Sequence, residues 1–428
     1  MKKFILCIMF LCSIWLIFLQ VGFAQSASPT NEHRENNEFQ QMQYIAAWTA
    51  FAVYDDRLGA LANEVLTKYG WQTKLVKDKI HKSDVKLLFA TKEMDNNPVY
   101  FLSISGTNSW LDVKTDLNIQ SVVFAGNNAL EFADFMQEQT TDKSIPRIHK
   151  GFAQYIQDGF FTKPQKEYAN LPLGEFLANG LKQNPRAKLY LTGHSLGGAA
   201  AEVLAARLLS MGVNPDQLVI ITFGAPAVGN QAFVDEFGSK MNLTRITLKG
   251  DPVKNLAQIA NDHLVQFKQN TIWNLPWSED DKFAHGMLLY FDGAMRQYYA
   301  TKTLENNLPA DYVVNVSFNF PEQLSGEEIY IKMALADKMQ LEDKSAIFVD
   351  NANQVLAIAK QNKAKYSVLY KYEAKLLKDT PSNKRYYLNC TKYIYDENGN
   401  FITAASASTD TNDMTVVQAA LYTDYRLK

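Results

Sequence analysis

Cysteine is nearly absent from this 428-residue chain: there are three, and Cys7 and Cys12 fall within the first twelve residues. That leaves Cys390 alone in the remainder, so no disulfide framework holds the fold. Cys390 reads as a packed thiol rather than a nucleophile. Histidine is also scarce, with six in all, and no two His or Cys fall at metal-ligand spacing. Nothing therefore supports a metal centre. An excess of one charge is missing too: 43 Lys and Arg stand against 45 Asp and Glu, a net charge of −2. That balance gives no electrostatic case for nucleic acid or for an anionic membrane as a partner. Long apolar runs are limited to residues 4–19, behind Lys2 and Lys3 and ahead of Gly22 and Ala24 at the spacing a signal peptidase reads. This pattern predicts a cleavable secretory signal ending at Ala24, and hence a secreted, periplasmic or extracellular location. An uncleaved anchor is the alternative reading, and no other stretch is apolar and long enough to span a bilayer.

What is present is ordinary for a globular protein, with 47% hydrophobic and 21% charged residues, and the length suits one large domain with a smaller one. Residues 25–38 are polar and read as a flexible lead-in. From residue 39 to 53 the apolar side chains recur at helical spacing, giving a core-facing helix. Strands are expected at 85–90, 99–105, 188–191, 218–223 and 244–248, with a helix over 199–209 and a polar stretch at 127–143. Apolar strands alternating with helices predict an α/β fold with a mainly parallel sheet covered on both faces. Beyond about Thr303 the composition changes. Segments 367–376, 385–395 and 400–403 look like antiparallel strands, with a turn at Asn398-Gly399 and a helix around 351–361 ahead of them. Residues 39–304 thus read as one domain and 305–428 as a smaller C-terminal α+β domain. No internal repeat is evident.

The chemistry centres on Gly193-His194-Ser195-Leu196-Gly197, followed by Gly198. A bare G-x-S-x-G is a weak signal, but here a strand enters it and an Ala-rich helix leaves it. That is the strand–turn–helix setting of a nucleophile elbow, in which small residues flank a strained serine. The alternative is a tight βα turn with an incidental serine. A serine hydroxyl needs a base, and the base needs an orienting carboxylate. In an elbow-bearing fold the chain order is serine, acid, histidine. Asp216 precedes its strand and Asp235 sits in an expected helix, whereas Asp251 follows the strand at 244–248, at the carboxyl edge where such sites gather. Two histidines follow at a distance, His263 and His285. The loop leading from Phe283 into an amphipathic helix favours His285, while His263 follows Asp251 closely. His194 flanks the nucleophile with its ring expected to point away, in a packing or hydrogen-bonding role. Oxyanion donors are expected from the amide of Leu196 and from Thr107, after the strand at 99–105.

These pieces resemble the class 3 lipase family, the fungal-type triacylglycerol lipases. The matching residues run in order: Ser105-Gly106-Thr107 with Trp110 and Asp116-Leu117, then His149-Lys150-Gly151-Phe152, then 191–199 around the elbow. Residues 222–230, Arg245 with Asp251-Pro252-Val253, and His285 with Tyr290 complete the set. The resemblance implies an α/β-hydrolase fold and hydrolysis of acylglycerol esters. It places Ser195, Asp251 and His285 in the catalytic roles and Thr107 and Leu196 in the oxyanion role. It also implies a lipid or ester substrate met at a lipid–water interface, with no cofactor, and leaves the oligomeric state open. Departures exist. Ser105 stands where the family usually has Arg, and Lys254-Asn255-Leu256 replaces a more apolar continuation. The lid position, 108–116, mixes Trp110, Leu111 and Val113 with Asp112, Lys114 and Asp116, and 305–428 has no recognised counterpart. Phospholipase A1 and short-chain carboxylesterase share the same triad. A binding protein retaining the hydrolase fold is the reading from a different class.

Overall fold

The computed structural model describes residues 31–54, 57–80, 83–106, 120–253, 263–275, 284–304, 309–380 and 383–427. The expected signal segment and the expected lid at 108–116 lie outside the described residues. The first helix, α1 (Asn31–Ala52), begins eight residues before the apolar spacing predicts. Residues 31–38 contain no Gly or Pro to stop it, so backbone bonding continues through a polar stretch. Further along, Tyr44, Ile45, Trp48 and Phe51 are buried. Helix α2 (Arg57–Lys68) follows, then a meander of β1 (Gln72–Ile80), β2 (Ser83–Met94) and β3 (Asn97–Ile104). Met94 pairs with Asn97 across a two-residue turn in which Asp95 and Asn96 have φ of 50° and 59°. Paired left-handed residues match the twist of a hairpin, and Asp and Asn tolerate them.

The chain continues through β4 (Ser121–Val123), α3 (Ala129–Phe135), β5 (Arg147–His149), α4 (Lys150–Ile156) and α5 (Leu173–Gln183). Helix α3 interrupts the polar stretch at 127–143, capped by Asn128, whose side chain accepts from the amides of Leu130 and Glu131. Then come β6 (Lys188–His194), α6 (Leu196–Ser210), β7 (Leu218–Phe223), α7 (Gln231–Phe237), β8 (Asn242–Leu248), β9 (Asn270–Trp273) and α8 (Met287–Ala300). The seven strands order as β1-β2-β3-β6-β7-β8-β9, and β2 alone runs against the others. The expected mainly parallel sheet is what forms. Every residue of β7 is buried. Val219, Ile221 and Phe223 share a core with Trp48 of α1 and Phe291 of α8, while Leu218 and Ile220 share one with Ala199–Leu208 of α6. Helices therefore cover both faces, which is why the strand has no polar alternation.

The C-terminal part contains β10 (Tyr312–Asn319), α9 (Glu327–Leu341), β11 (Ala346–Val349), α10 (Val355–Asn362), β12 (Tyr366–Thr380), β13 (Asn383–Asp396), β14 (Phe401–Asp410) and α11 (Val416–Arg426). They form a second sheet, β11-β10-β12-β13-β14. Strands β12, β13 and β14 are antiparallel, as the sequence suggests, but β10 joins β11 and β12 in parallel. Cys390 is buried in β13, and burial pushes its thiol up to about 12, leaving an inert packing residue.

The two sheets belong to one compact unit, Gln40–Lys428. A single hydrophobic core runs from Trp48, Phe291 and Met295 to Val316, Val368, Tyr372 and Val417. Polar contacts stitch the same junction. Arg296 binds Asp292 and Glu327, both at 2.6 Å. The Thr415 hydroxyl donates to Asp292 at 2.6 Å, and the Gln418 amide donates to the Leu288 carbonyl at 2.7 Å. The Tyr69 hydroxyl donates to Asp337. Removing residues 305–428 bares the apolar α1–α8 layer and leaves Asp292 without Thr415. We expect a chain ending at Leu304 to aggregate on size-exclusion chromatography and to become monodisperse when 305–428 is co-expressed. A soluble truncation with an unchanged, cooperative melt would instead show that the two parts fold independently.

Candidate active site

Strand β6 delivers Ser195 to the carboxyl edge of the sheet. Ser195 has φ 57° and ψ −124°, a conformation that costs a non-glycine residue about 1–3 kcal/mol. Its amide donates to the Phe223 carbonyl at 2.9 Å, and its carbonyl accepts from Ala199 at 3.1 Å, which starts α6. The turn is too tight for side chains two positions before and after the serine. A Cβ on Gly197 would lie 2.1 Å from the Ile104 carbonyl oxygen, and one on Gly193 would lie 2.4 Å from the Gly197 carbonyl carbon. The elbow therefore presses directly on the end of β3. Leu196 opens α6, so its amide is among the first-turn donors that lack an intrahelical acceptor. Thr107, the other expected oxyanion donor, lies outside the described residues.

Asp251 sits just beyond β8, only 2% exposed. Its carboxylate accepts from His285 Nδ1 at 2.9 and 3.1 Å and from the Val253 amide at 2.7 Å. It also accepts from the Tyr290 hydroxyl. Burial opposes the charge, but the bonds from His285, Tyr290 and Val253 outweigh it and hold the carboxyl below its usual value of 3.8. Tyr290 in turn accepts from the Leu248 amide at 3.2 Å. Burial, and next the Asp251 charge, push its phenol well above 10, so it stays a donor. With Nδ1–H directed at Asp251, His285 keeps its lone pair on Nε2, the tautomer a general base needs. Space for this arrangement depends on Gly224, with φ 59°. A Cβ there would fall 2.8 Å from the Tyr290 hydroxyl, 2.9 Å from Asp251 Oδ2 and 3.1 Å from His285 Cε1.

The structure thus brings Asp251 and His285 together beside the elbow: the Ser195 amide bonds Phe223, and the next residue, Gly224, leaves the space a Cβ would take from both partners. His263 is exposed, and the imidazole on Asp251 belongs to His285. Asp235 lies in α7, and Asp216 lies in a short turn before β7, at the strand's far end. His194 is buried, as expected for a packing or hydrogen-bonding residue, with Nε2 2.6 Å from the His285 carbonyl oxygen. Ser105, where the resemblance departs, uses its hydroxyl to accept from the Lys86 amide at 3.1 Å.

Two contributors, Tyr54 and Glu202, have no signal in the sequence. Tyr54, just after α1, places its hydroxyl 3.4 Å from His194 Nδ1 and 3.3 Å from the Gly106 amide. Under the elbow helix, Arg245 Nε faces Glu202 Oε1 at 3.3 Å, an ion pair without hydrogen-bond alignment. Thr222 donates to the same oxygen at 3.1 Å, and Arg245 donates to the Ala225 carbonyl at 2.8 Å. Burial raises the Glu202 carboxyl above its ordinary value of 4.5 despite both partners. Among the described residues, no cluster of three His, Cys, Asp or Glu could hold a metal ion, and no helix is long and apolar enough to cross a membrane.

Residues 101–260 match the family model for lipase (class 3). Lipase ZK262.3 of Caenorhabditis elegans is 26% identical over 197 residues, covering 41% of this chain and 55% of that protein. Secreted mono- and diacylglycerol lipase 1 of Fusarium solani is 35% identical over 106 residues, 24% of this chain and 30% of its own length. The Rhizomucor miehei lipase is 32% identical over 120 residues, 27% of this chain and 30% of its own. The chain therefore spans between 30% and 55% of the length of these relatives. Among solved structures, the lipase from Rhizopus microsporus var. chinensis aligns with TM-score 0.38 and 20% identity, over 51% of this chain and 69% of that one.

The Asp251 geometry makes its contribution to stability pH-dependent. A carboxyl held below 3.8 in the folded state stabilises the fold fully above that ordinary value, and the contribution fades as pH falls through the lower, folded one. Asp251→Asn lacks the charge at every pH. The melting-temperature gap between wild type and Asp251→Asn should therefore be widest near neutral pH and should narrow below about pH 4. A gap that stays constant from pH 7 down to pH 3 would contradict the pairing.

Proposed function

The class 3 lipase family, matched over residues 101–260, is the premise from which we propose that this chain is a secreted serine hydrolase of acylglycerol and related carboxylic esters. One observation carries the reading: a buried, triply bonded Asp251 orients His285 beside a serine held in a strained elbow. In the reaction, Ser195 Oγ attacks the ester carbonyl carbon while His285 Nε2 takes the hydroxyl proton. Asp251 stabilises the imidazolium through Nδ1–H. The carbonyl oxygen gains negative charge at the N-terminus of α6, where the Leu196 amide, aided by Thr107, receives it. Collapse breaks the ester C–O bond, and His285 returns the proton to the leaving alcohol. Water, deprotonated by His285, then releases the carboxylic acid and restores Ser195. The mechanism uses only side chains and backbone amides.

Support for the substrate class comes from relatives named as lipases, including secreted mono- and diacylglycerol lipases, together with an apolar run and small-residue pair at residues 4–24 that suit export. Ser195→Ala should retain the fold, lose fluorophosphonate labelling and lose about 10⁴-fold or more in kcat on a p-nitrophenyl ester. His285→Ala should be about as damaging, and the double variant little worse, because the residues act as a unit. His263→Ala should keep most of the activity. The reading fails if folded Ser195→Ala hydrolyses the ester normally, and the base moves to His263 if the two histidine variants exchange behaviour.

A further inference from the structure

His194 lies one residue before the nucleophile, yet the mechanism above gives it no step. It is 8% exposed, and its ring centroid is 4.6 Å from that of His285. At 2.6 Å from Nε2 stands the His285 carbonyl oxygen, which can only accept. Nε2 must therefore carry the hydrogen. Burial, and next the neighbouring His285, lower the His194 pKa to about 3, so the ring is neutral at any pH at which an ester hydrolase works. A neutral ring with its hydrogen on Nε2 has an acceptor at Nδ1, and the group facing it at 3.4 Å is the Tyr54 hydroxyl. That hydroxyl accepts from the Gly106 amide at 3.3 Å. The two ends of the line have fixed donors, Gly106 N–H to Tyr54 and His194 Nε2–H to the backbone of His285, and between them the Tyr54 hydroxyl faces the His194 acceptor. The two bonds at Tyr54 are long and correspondingly weak, while the bond to His285 is short.

The line connects three pieces from distant parts of the chain: the end of β3 that leads to the oxyanion loop, the elbow, and the loop bearing the base. Asp251 fixes the His285 ring, but a ring is only as well placed as the backbone it hangs from. We propose that His194 is a positioning residue for the hydrolase reaction, its Nε2–H holding the His285 main chain, and Tyr54 extending that hold to Gly106. Neutrality is part of the role. When His285 takes the serine proton it becomes a cation whose ring lies 4.6 Å from that of His194, and a charged His194 would oppose that transfer. The inference rests on the serine-hydrolase reading.

The test compares two amides in the full-length protein. His194→Gln places a side-chain N–H at the reach of Nε2, while His194→Asn has the same chemistry one methylene shorter and cannot reach the His285 carbonyl. His194→Gln should recover most of the wild-type kcat. His194→Asn should lose roughly 10- to 100-fold in kcat with little change in KM, the scale expected when a catalytic group is displaced by about 1 Å. Melting temperatures of the two variants should be close. Equal activities for Gln and Asn, whether both high or both low, would overturn the proposal, since reach would then not matter. An independent measurement needs no variant: ¹⁵N NMR of the wild-type ring should show a neutral His194 with its hydrogen on Nε2 from pH 5 to 9. A hydrogen on Nδ1, or a charged ring, would overturn the proposal even if His194→Asn fails to fold. Failure of the underlying reading is distinguishable, because wild type would then not react with a fluorophosphonate at all.

Discussion

The contact between Gly197 and the Ile104 carbonyl is the constraint on which the site depends. It forces the elbow onto the end of β3, and only a residue without a side chain fits at that separation. The strain at Ser195 is tolerated because its surroundings leave it no alternative. Its amide is tied to β7, its carbonyl begins α6, and the residues before it are locked in parallel pairing with β3 and β7. A helix N-terminus then faces whatever binds at the serine, so the same turn that exposes the hydroxyl supplies the electrostatics for a developing anion. Relaxing the turn would lose both at once.

Asp251 is the second fixed point, and it shows how a buried charge is made tolerable. Three donors from three places converge on it: a ring, a phenol and a backbone amide. Hydrogen bonds to a charged group contribute about 1.5–3 kcal/mol each, enough to offset the desolvation that burial imposes. Glu202 on the other side of the sheet has Arg245 and Thr222 but poorer alignment, and its carboxyl goes the opposite way, up rather than down. Desolvation dominates at Glu202, whereas at Asp251 the three donors outweigh it. His194 adds a third case, a titratable ring beside the base that burial keeps uncharged.

Those differences explain what could be read from the chain alone. The elbow, the acid after β8 and the base before α8 each carry a local signature, a motif or a position relative to a strand end. Tyr54 carries none. It meets His194 across 140 residues of sequence, and only the assembled sheet makes them neighbours. The same holds for Glu202, an ordinary helix residue until β7 and β8 bring Thr222 and Arg245 beneath it. Among the elements, β7 was visible because burial on both faces leaves a nearly continuous apolar run, broken only by Thr222. Strand β1 was hidden by Lys74, Lys77, Asp78 and Lys79, which an outer strand tolerates and a central one does not. Strand β10 contains Val313, Val314 and Val316, but its parallel pairing with β12 spans a long crossover that no local pattern announces.

Helix α8 joins the C-terminal sheet to the chemistry. Its first turns carry Tyr290, which holds Asp251, and His285 lies two residues before the helix begins. The same turns are where the C-terminal part attaches: Gln418 bonds the Leu288 carbonyl, and Thr415 bonds Asp292, flanking Tyr290 on both sides. One turn later Arg296 bridges Asp292 to Glu327 of α9. A helix end is normally the part most prone to fraying, because its first amides lack partners. Here the first turns are pinned by the bonds from Thr415 and Gln418. The C-terminal layer thereby braces the helix that carries Tyr290. By bracing the helix it braces the phenol, and through the phenol it bears on Asp251 and on the His285 ring bonded to it.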